Sequence, residues 1–445
     1  MKRLPKVILI AGLVIALLSA VASAGIIKSD DVAKWAAKYG IGKKSFSFIV
    51  FGDNRGTSPG RPLPDVLNVI LREIGYIHPD FAINTGDIEV GYTDTIAKAK
   101  AELTEFIRRV NKYAGDVNML LVPGNHEAPN AQIAQLYRKF FGKKLYYNFM
   151  YGNAHFIMLD TTFPRKWLKK GQKYGFYNLN DGYHKLPMVD WTKKVLKVKA
   201  AHTFVAQHVP LFSALTPNFG KHPKSFTSRK NRDEELYLLL RHKVDAVFAG
   251  HEHVFYARVV GNTKFFTIGG GGAPLYGPTT GGYGINTGKG PNYKGVTSCS
   301  EFDHGGWAAG YHYNLHFPAG ALSIFSYMLV KVNGNKVSYE LLVPHSIEVD
   351  YTAGNNGISA ESRAIVANRT AYPRTLRGIE FLMPYSAKGY TVKGTVITWG
   401  GKVKPAKKQP QILEVRKLDN YKAVVRVGIV VPAAFSVEIT LKTKL

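Results

Sequence analysis

Short apolar runs recur through the first half of the chain, and each ends directly in a polar residue. Runs of this length, rich in Phe, Val, Ile and Leu, predict buried strands rather than helices. In Leu120–Glu127 the apolar run stops at Pro-Gly, and Asn125, His126 and Glu127 follow at once. We expect these three side chains at the carboxyl edge of a sheet, where α/β proteins bind ligands.

The same construction occurs at four other places in the chain. The runs that begin at Phe46, Phe81, Thr203 and Ala246 lead to Asp53, Asp87, His208 and the pair His251 and His253. In four of the five cases a glycine stands immediately before the polar residue, where a backbone that turns sharply beside a ligand favours no Cβ. A strand followed by a polar turn would explain any one of these five places. Because the same pattern recurs five times, we expect the polar residues to form one shared site.

Helical spacing of apolar residues lies between the strands. It predicts helices over Asp65–Ile77, with Asp65 as the N-cap, and over Asp94–Tyr113. Strands that alternate with helices predict a layered α/β domain, which we place at residues 46–345 after a linker or short helix at 25–45.

Beyond residue 345 the pattern changes to short strands separated by Gly, Pro, Asn and Lys. This pattern predicts a small, sandwich-like all-β domain over residues 346–445. It contains no catalytic constellation, so its expected role is packing, attachment or presentation of substrate.

The N-terminus has the three parts of a secretory signal peptide, which we assign to residues 1–24. A basic start precedes an almost wholly apolar run, Val7–Val21, and small residues at Ala22–Ala24. The expectation is a secreted or extracytoplasmic chain, with an uncleaved N-terminal membrane anchor as the alternative.

Composition narrows the choice of partners. The formal net charge is +28, which indicates anionic partners such as phosphorylated small molecules or a cell surface, although solubility alone is an equal explanation. Nucleic acid is expected only as a possible substrate, and no obligate protein partner is indicated. Cys299 is the single cysteine, which excludes an internal disulfide and a thiolate metal site.

The polar residues at the strand ends have the chemistry of metal ligands. Carboxylate, amide and imidazole groups suit Zn, Mn or Fe ions. Six such ligands are too many for one catalytic ion and suit two ions that share a bridging carboxylate. The set is Asp53, Asp87, Asn125, His208, His251 and His253.

The order Gly-Asp, Gly-Asp, Gly-Asn-His-Glu, His and Gly-His-x-His resembles the calcineurin-like metallophosphoesterases, and the purple acid phosphatase branch is the most similar. The resemblance implies a four-layer α/β/β/α sandwich with a dimetal site above one edge. Asp53 and His253 would hold the first metal, Asp87 would bridge, and Asn125, His208 and His251 would hold the second. His126 would assist the leaving group, and Glu127 would orient His126 or a ligand.

Two departures from the family pattern affect the first metal. Many relatives have Asp-x-His in the first motif, where this chain has Asp53-Asn54-Arg55. Purple acid phosphatases instead supply a tyrosine three residues after the bridging Asp, where this chain has Val90, with Tyr92 nearby. The first metal therefore lacks one expected protein ligand. Arg55 would contact substrate phosphate or form a salt bridge with Glu89.

These observations predict a secreted, dinuclear-metal-dependent phosphoesterase. A metal-bridging hydroxide would attack a phosphomonoester, as in acid phosphatases and nucleotidases, and His222 on a basic loop would help to bind the substrate. Two alternatives stay open. One is a phosphodiesterase with the same site, and the other is a degenerate surface protein that binds anionic polymers.

Overall fold

The computed structural model describes residues 25–92, 95–162, 187–212, 229–276, 321–352, 361–398 and 400–444. The signal segment, His222 and most of the glycine- and tyrosine-rich stretch 269–319 lie outside these ranges. The helices are α1 Val32–Tyr39, α2 Asp65–Ile77, α3 Ile96–Ala114, α4 Ala131–Phe141, α5 Pro187–Val195 and α6 Arg229–Arg241. Among the described residues, no helix has both the length and the apolar character needed to cross a membrane.

The strands of the first domain form two mixed sheets. They are β1 Ser45–Phe51, β2 Phe81–Asn84, β3 Met119–Leu121, β4 Tyr147–Tyr151, β5 Ala154–Met158, β6 His202–Ala206, β7 Ala246–Ala249, β8 Phe255–Val260, β9 Thr263–Ile268, β10 Ala321–Leu322, β11 Tyr327–Asn333 and β12 Lys336–Leu342. One sheet has the order β12-β11-β1-β2-β3, and the other has the order β10-β8-β9-β7-β6-β5-β4. β1, β2 and β3 run parallel to one another, as do β5, β6, β7 and β9.

The two sheets pack face to face through aromatic side chains. Phe48 of β1 stacks on Phe81 of β2 at 5.3 Å and meets the edges of Phe156, Phe204 and Phe248 from the facing sheet. Alternate residues of a strand point to one face, so these rings form a continuous layer between the sheets. Large buried aromatic rings contribute strongly to such a core.

Helices cover the outer faces of both sheets. α2, α3 and α4 bury residues such as Ile70, Phe106 and Tyr137 against the first sheet. α5 and α6 bury Val195 and Leu239 near the second. The result is the four-layer α/β/β/α arrangement, and that prediction of the fold class is confirmed.

The N-cap of α2 and the first residue of α3 differ from the prediction. Asp65 is the first helical residue of α2, and Pro64 occupies the N-cap position in an extended conformation, so the assignment of Asp65 as N-cap is wrong. Pro64 has φ −64° and ψ 147°, the extended conformation usual for an N-cap residue, so the helix begins at the next residue. α3 begins at Ile96 because the Thr95 side chain accepts a hydrogen bond from the Lys98 N–H.

The C-terminal part is all-β, as predicted. Its strands are β13 Ile347–Thr352, β14 Glu361–Asn368, β15 Arg374–Pro384, β16 Tyr390–Ile397, β17 Val403–Pro405, β18 Gln411–Lys417, β19 Lys422–Val431 and β20 Ser436–Thr443. They form one sheet of order β13-β14-β20-β16-β17 and another of order β15-β19-β18. Alternate residues such as Val425, Val427, Val437 and Ile439 are buried between them. The boundary between residues 345 and 346 stays a prediction.

The C-terminal sheets pack directly on α2. Gly378 of β15 lies so close to the helix that a Cβ there would stand 1.8 Å from the Gly75 carbonyl oxygen. Glu73 of α2 accepts hydrogen bonds of 2.7 Å from the Tyr327 hydroxyl and from the Ile347 N–H, where β13 begins. One buried carboxylate therefore connects a helix, the first sheet and the C-terminal part.

We expect the Glu73→Gln variant to differ from the parent mainly above neutral pH. Burial raises the pKa of Glu73 to about 7, although hydrogen bonds from Tyr327 and Ile347 act in the opposite direction. A raised folded-state pKa means that the carboxyl group stabilises the fold most below its ordinary pKa of 4.5 and loses that contribution as pH rises through 7.

The change amounts to about 3 kcal/mol for a shift of this size. We therefore expect the free energy of unfolding of the parent to fall, relative to that of Glu73→Gln, as pH rises from 4 to 9. Denaturant titration of both proteins at each pH measures this difference. Parallel stability profiles for the two proteins would contradict this role of Glu73.

Candidate metal centre

The predicted site residues meet at one edge, where the two sheets adjoin. Each follows the carboxyl end of a parallel strand: Asp53 after β1, Asp87 after β2, Asn125 after β3, His208 after β6 and His251 after β7. Two groups of side chains have ligand atoms within 4.8 Å of one another. The first group is Asp53, Asp87 and His253, and the second is Asp87, His208 and His251, so Asp87 belongs to both.

The backbone at this edge is strained. Asp53, Asp87 and His251 have φ angles of 59°, 57° and 72°, in the left-handed region that non-glycine residues rarely adopt. Such conformations persist where surrounding contacts hold them, and they cluster at functional sites. Here they turn both carboxylates and one imidazole into the cluster.

The glycines before the ligands give room for this close packing. A Cβ on Gly124 would lie 2.2 Å from Asp87 Oδ1, and a Cβ on Gly250 would lie 2.3 Å from Asp53 Oδ2. Any larger residue at these positions would displace a carboxylate. This is the physical basis of the repeated Gly-polar pattern in the sequence.

Three imidazoles are oriented by backbone carbonyls. Nδ1 of His208 donates to the Thr85 carbonyl at 2.7 Å, Nδ1 of His253 donates to the Pro274 carbonyl at 2.7 Å, and Nδ1 of His126 contacts the Val90 carbonyl. A proton on Nδ1 leaves the Nε2 lone pair free to bind a cation or to take a proton.

The second group of ligand atoms includes an amide oxygen. Asn125 Oδ1 lies 3.0 Å from His208 Nε2 and 2.8 Å from His251 Nδ1. Asp87 Oδ1 lies 3.2 Å from His208 Nε2. The Nδ2 of Asn125 points away and donates to the Tyr92 hydroxyl at 2.7 Å. Four residues thus present oxygen or nitrogen lone pairs to one small volume.

The first group is smaller. His253 Nε2 lies 3.7 Å from Asp53 Oδ1, and the His253 ring stacks on Tyr276 at 4.4 Å. Arg55 occupies the place where many relatives have a histidine, and its Nε lies 3.9 Å from Asp87 Oδ2. The salt bridge of Arg55 with Glu89 stays a prediction.

Glu127 supports the backbone beneath Asp87. Its carboxylate accepts hydrogen bonds from the N–H groups of Asp87 at 2.9 Å, Ile88 at 2.8 Å, Glu89 at 3.3 Å and Gly124 at 2.6 Å. It therefore joins the loop after β2 to the loop after β3, and it fixes the left-handed turn at Asp87.

Burial and the repulsion between carboxylates shift several pKa values in the cluster. Burial and the neighbouring Asp87 raise the pKa of the Asp53 carboxyl well above its ordinary value, and the same two causes raise the pKa of Glu127. Burial lowers the pKa of His208 to about 4, so its imidazole is neutral near pH 7 and can act as a ligand. Hard oxygens with neutral imidazoles fit divalent ions such as Zn²⁺ or Mn²⁺, and a cation would offset the repulsion between the carboxylates.

Sequence reasoning missed three contacts of this site. Tyr92 binds Asn125, Tyr276 stacks on His253, and Glu102 of α3 accepts hydrogen bonds from the Val90 N–H at 2.8 Å and the Gly60 N–H at 3.0 Å. The sequence shows Tyr92 only as a tyrosine near the position where purple acid phosphatases have theirs. A glutamate on an amphipathic helix carries no signal that it turns inward.

The motifs and the geometry agree with a known family. Residues 46–255 match the family model described as calcineurin-like phosphoesterase. The chain carries a calcineurin-like phosphoesterase domain.

The sequence identity to individual relatives is low. The rat serine/threonine-protein phosphatase CPPED1 is 27% identical over 189 residues, which cover 39% of this chain and 54% of the relative. The chain thus spans about half the length of this curated relative.

Among solved structures, the yellow lupin purple acid phosphatase PPD1 gives a TM-score of 0.45 at 14% identity, with 74% of this chain and 52% of that chain covered. A dimetal phosphatase from Danio rerio gives a TM-score of 0.41 at 13% identity, with 68% of this chain and 100% of that chain covered.

We expect Glu127→Gln to destabilise this phosphoesterase domain even without metal. An amide cannot accept from all four backbone N–H groups, and its own NH₂ would oppose some of them. Each buried donor without an acceptor costs about 1–3 kcal/mol. The measurement is denaturant unfolding of chelator-treated protein.

Glu105→Gln is the matched control, because Glu105 is about one-third exposed and pairs with the side chains of Arg108 and Arg109 on α3. Equal stability of Glu127→Gln and Glu105→Gln would refute the supporting role of Glu127.

Proposed function

We propose that the chain is an extracytoplasmic phosphoesterase that hydrolyses phosphomonoesters with two metal ions at this site. The observation that carries the proposal is the pair of buried ligand groups that share Asp87. A shared carboxylate between two such groups is the arrangement that two ions a few ångströms apart require. Asp53 and His253 would hold one ion, and Asn125, His208 and His251 would hold the other.

The bound ions would supply Lewis-acid activation of the phosphoryl group and of the attacking water. Arg55 would contribute the remaining positive charge. Its side chain is largely buried and lies beside Asp87, so its guanidinium is placed to bind phosphate oxygens with two parallel hydrogen bonds.

His126 would protonate the leaving oxygen. Because Nδ1 contacts the Val90 carbonyl, Nε2 is the atom that faces the cluster, 3.7 Å from Asp87 Oδ2. Burial and the charge of Arg55 lower the pKa of His126 well below its ordinary value. A phosphate dianion bound next to the ring would raise that pKa again and favour the cationic acid.

The preference for monoesters rests on the resemblance to acid phosphatases and nucleotidases. Diester hydrolysis at the same site is the alternative, since the ligands alone do not distinguish the two substrates. His222 stays a proposed substrate contact outside the described residues.

The proposed location is outside the cytoplasm, with residues 1–24 as a signal peptide or, alternatively, as a membrane anchor. The charge of +28 supports association with an anionic cell surface. One end of the C-terminal sheets suits such contact: Leu418 and Tyr421 are 52% and 79% exposed there, and Lys417 lies over the Tyr385 ring at 4.5 Å.

We expect Asp87→Asn to abolish metal-dependent hydrolysis. The amide has one oxygen instead of two and no negative charge, so it cannot bridge two ions. The assay compares a chromogenic phosphomonoester with a phosphodiester, with a series of divalent ions and with chelator.

Asp245→Asn is the matched control, because Asp245 also pairs with a histidine, His202, at 3.1 Å, and also accepts a backbone N–H, but lies at the amino end of β7, away from the cluster. Absence of turnover by the folded parent protein with every ion would contradict the proposal and favour the surface-binding alternative. Faster cleavage of the phosphodiester than of the phosphomonoester would favour the phosphodiesterase alternative.

We expect the effect of His126→Ala to depend on the leaving group. A proton donor matters little for nitrophenolate and much for an alkoxide, so kcat for an alkyl phosphate should fall by about 10²–10⁴-fold and kcat for nitrophenyl phosphate by much less. Because the pKa of His126 is lowered in the free enzyme, we also expect kcat/KM of the parent to fall as pH rises from acidic values. This fall of kcat/KM with pH should be absent in His126→Ala. Equal losses for both esters would contradict the role of His126 as an acid.

A further inference from the structure

The amide of Asn125 has different surroundings at its two ends. Its oxygen faces His208 Nε2 at 3.0 Å and His251 Nδ1 at 2.8 Å, and its NH₂ group donates to the Tyr92 hydroxyl at 2.7 Å. Only the oxygen can coordinate a cation, because the NH₂ group presents hydrogens and no lone pair suited to a metal.

The shape of the side chain does not fix this orientation. The amide oxygen and nitrogen are nearly equal in size, and the terminal torsion of asparagine is soft and roughly two-fold. A half-turn about that torsion would place the NH₂ group against the metal. In the orientation that the structure shows, the Tyr92 hydroxyl accepts the hydrogen bond of the Asn125 NH₂ group, and this contact on the far side holds the amide oxygen toward His208 and His251.

Tyr92 is itself held in place. The segment 90–92 binds His126 through the Val90 carbonyl, and Gly91 (φ 67°) lies so close that a Cβ there would be 1.8 Å from the His126 carbonyl oxygen. Glu102 accepts the Val90 N–H, and the Tyr92 ring meets the edge of the His126 ring at 4.6 Å. The phenol oxygen thus has a fixed position beside the Asn125 amide.

We propose that Tyr92 is a positioning residue that holds the Asn125 amide with its oxygen toward the second metal. This inference rests on the proposed function, because it needs the metal centre. It gives Tyr92 a role different from that of the purple acid phosphatase tyrosine, which the resemblance places three residues after the bridging Asp and on the first metal.

The test is calorimetric titration of chelator-treated parent protein and Tyr92→Phe with Mn²⁺ and with Zn²⁺. Loss of a residue that orients a metal ligand typically lowers metal affinity by about 10–100-fold. We expect one of the two binding events to weaken by that factor and the other to stay unchanged. Tyr147→Phe is the control, because it also removes a buried phenol hydroxyl, one that donates to the Leu121 carbonyl at 2.9 Å.

The outcomes separate the two proposals. No metal binding by the parent protein would contradict the metal centre and the proposed function. Normal binding by the parent and by Tyr92→Phe would overturn the role of Tyr92 alone. If Tyr92 had only a structural role, metal-free Tyr92→Phe would have a lower thermal midpoint than Tyr147→Phe, and both metal-binding events would weaken together. That result would also overturn the proposed role of Tyr92.

A second arm tests the orientation itself. In an Asn125→Asp background either end of the side chain is an oxygen, so the loss of affinity caused by Tyr92→Phe should be much smaller than in the parent. An equal loss in both backgrounds would show that the phenol does not act through the amide.

Discussion

Three buried carboxylates lie together at the meeting edge of the two sheets, and the rest of the site is organised around them. Asp53, Asp87 and Glu127 are at most 1% exposed. Ionised groups of like charge in a dry interior are unfavourable unless hydrogen bonds or opposite charge offset the cost.

The chain offsets part of that cost with its backbone. Four N–H groups bind Glu127, the His251 N–H binds Asp53 at 2.8 Å, and the His126 N–H binds Asp87 at 3.1 Å. The left-handed turns and the glycines are what bring these N–H groups within reach. The imidazoles and the amide oxygen complete two groups of lone-pair donors around these carboxylates.

Much of the architecture could be predicted from the sequence because its signals are local. The apolar spacing of Asp65–Ile77 defines α2 to the residue, and the runs before each motif predict the strands that carry the ligands. β17, with three exposed residues, is too short to give such a signal.

Contacts across the chain could not be predicted in the same way. Tyr92 and Asn125 are 33 positions apart, and Glu73 and Ile347 are 274 positions apart. Their proximity depends on how the layers pack, which no local pattern contains. A role for Pro274 was equally out of reach, because it acts through its carbonyl oxygen, which every residue has.

The two ligand groups are not equivalent. The second group has Asp87, Asn125, His208 and His251, whereas the first has Asp53, Asp87 and His253 together with the Arg55 cation near Asp87. Fewer ligands and a nearby fixed positive charge make the first site the weaker one for a cation. Under the proposed function, the same positive charge would favour binding of a phosphate anion.

The most direct test of the account is anomalous diffraction from crystals of the protein soaked in Mn²⁺. The account predicts two peaks about 3.5–4 Å apart, with the Asp87 carboxylate between them and Asn125 Oδ1 on the ion further from Asp53. Ions bound elsewhere, or none at Asp87 in well-ordered crystals, would contradict the dimetal centre on which the proposed function depends.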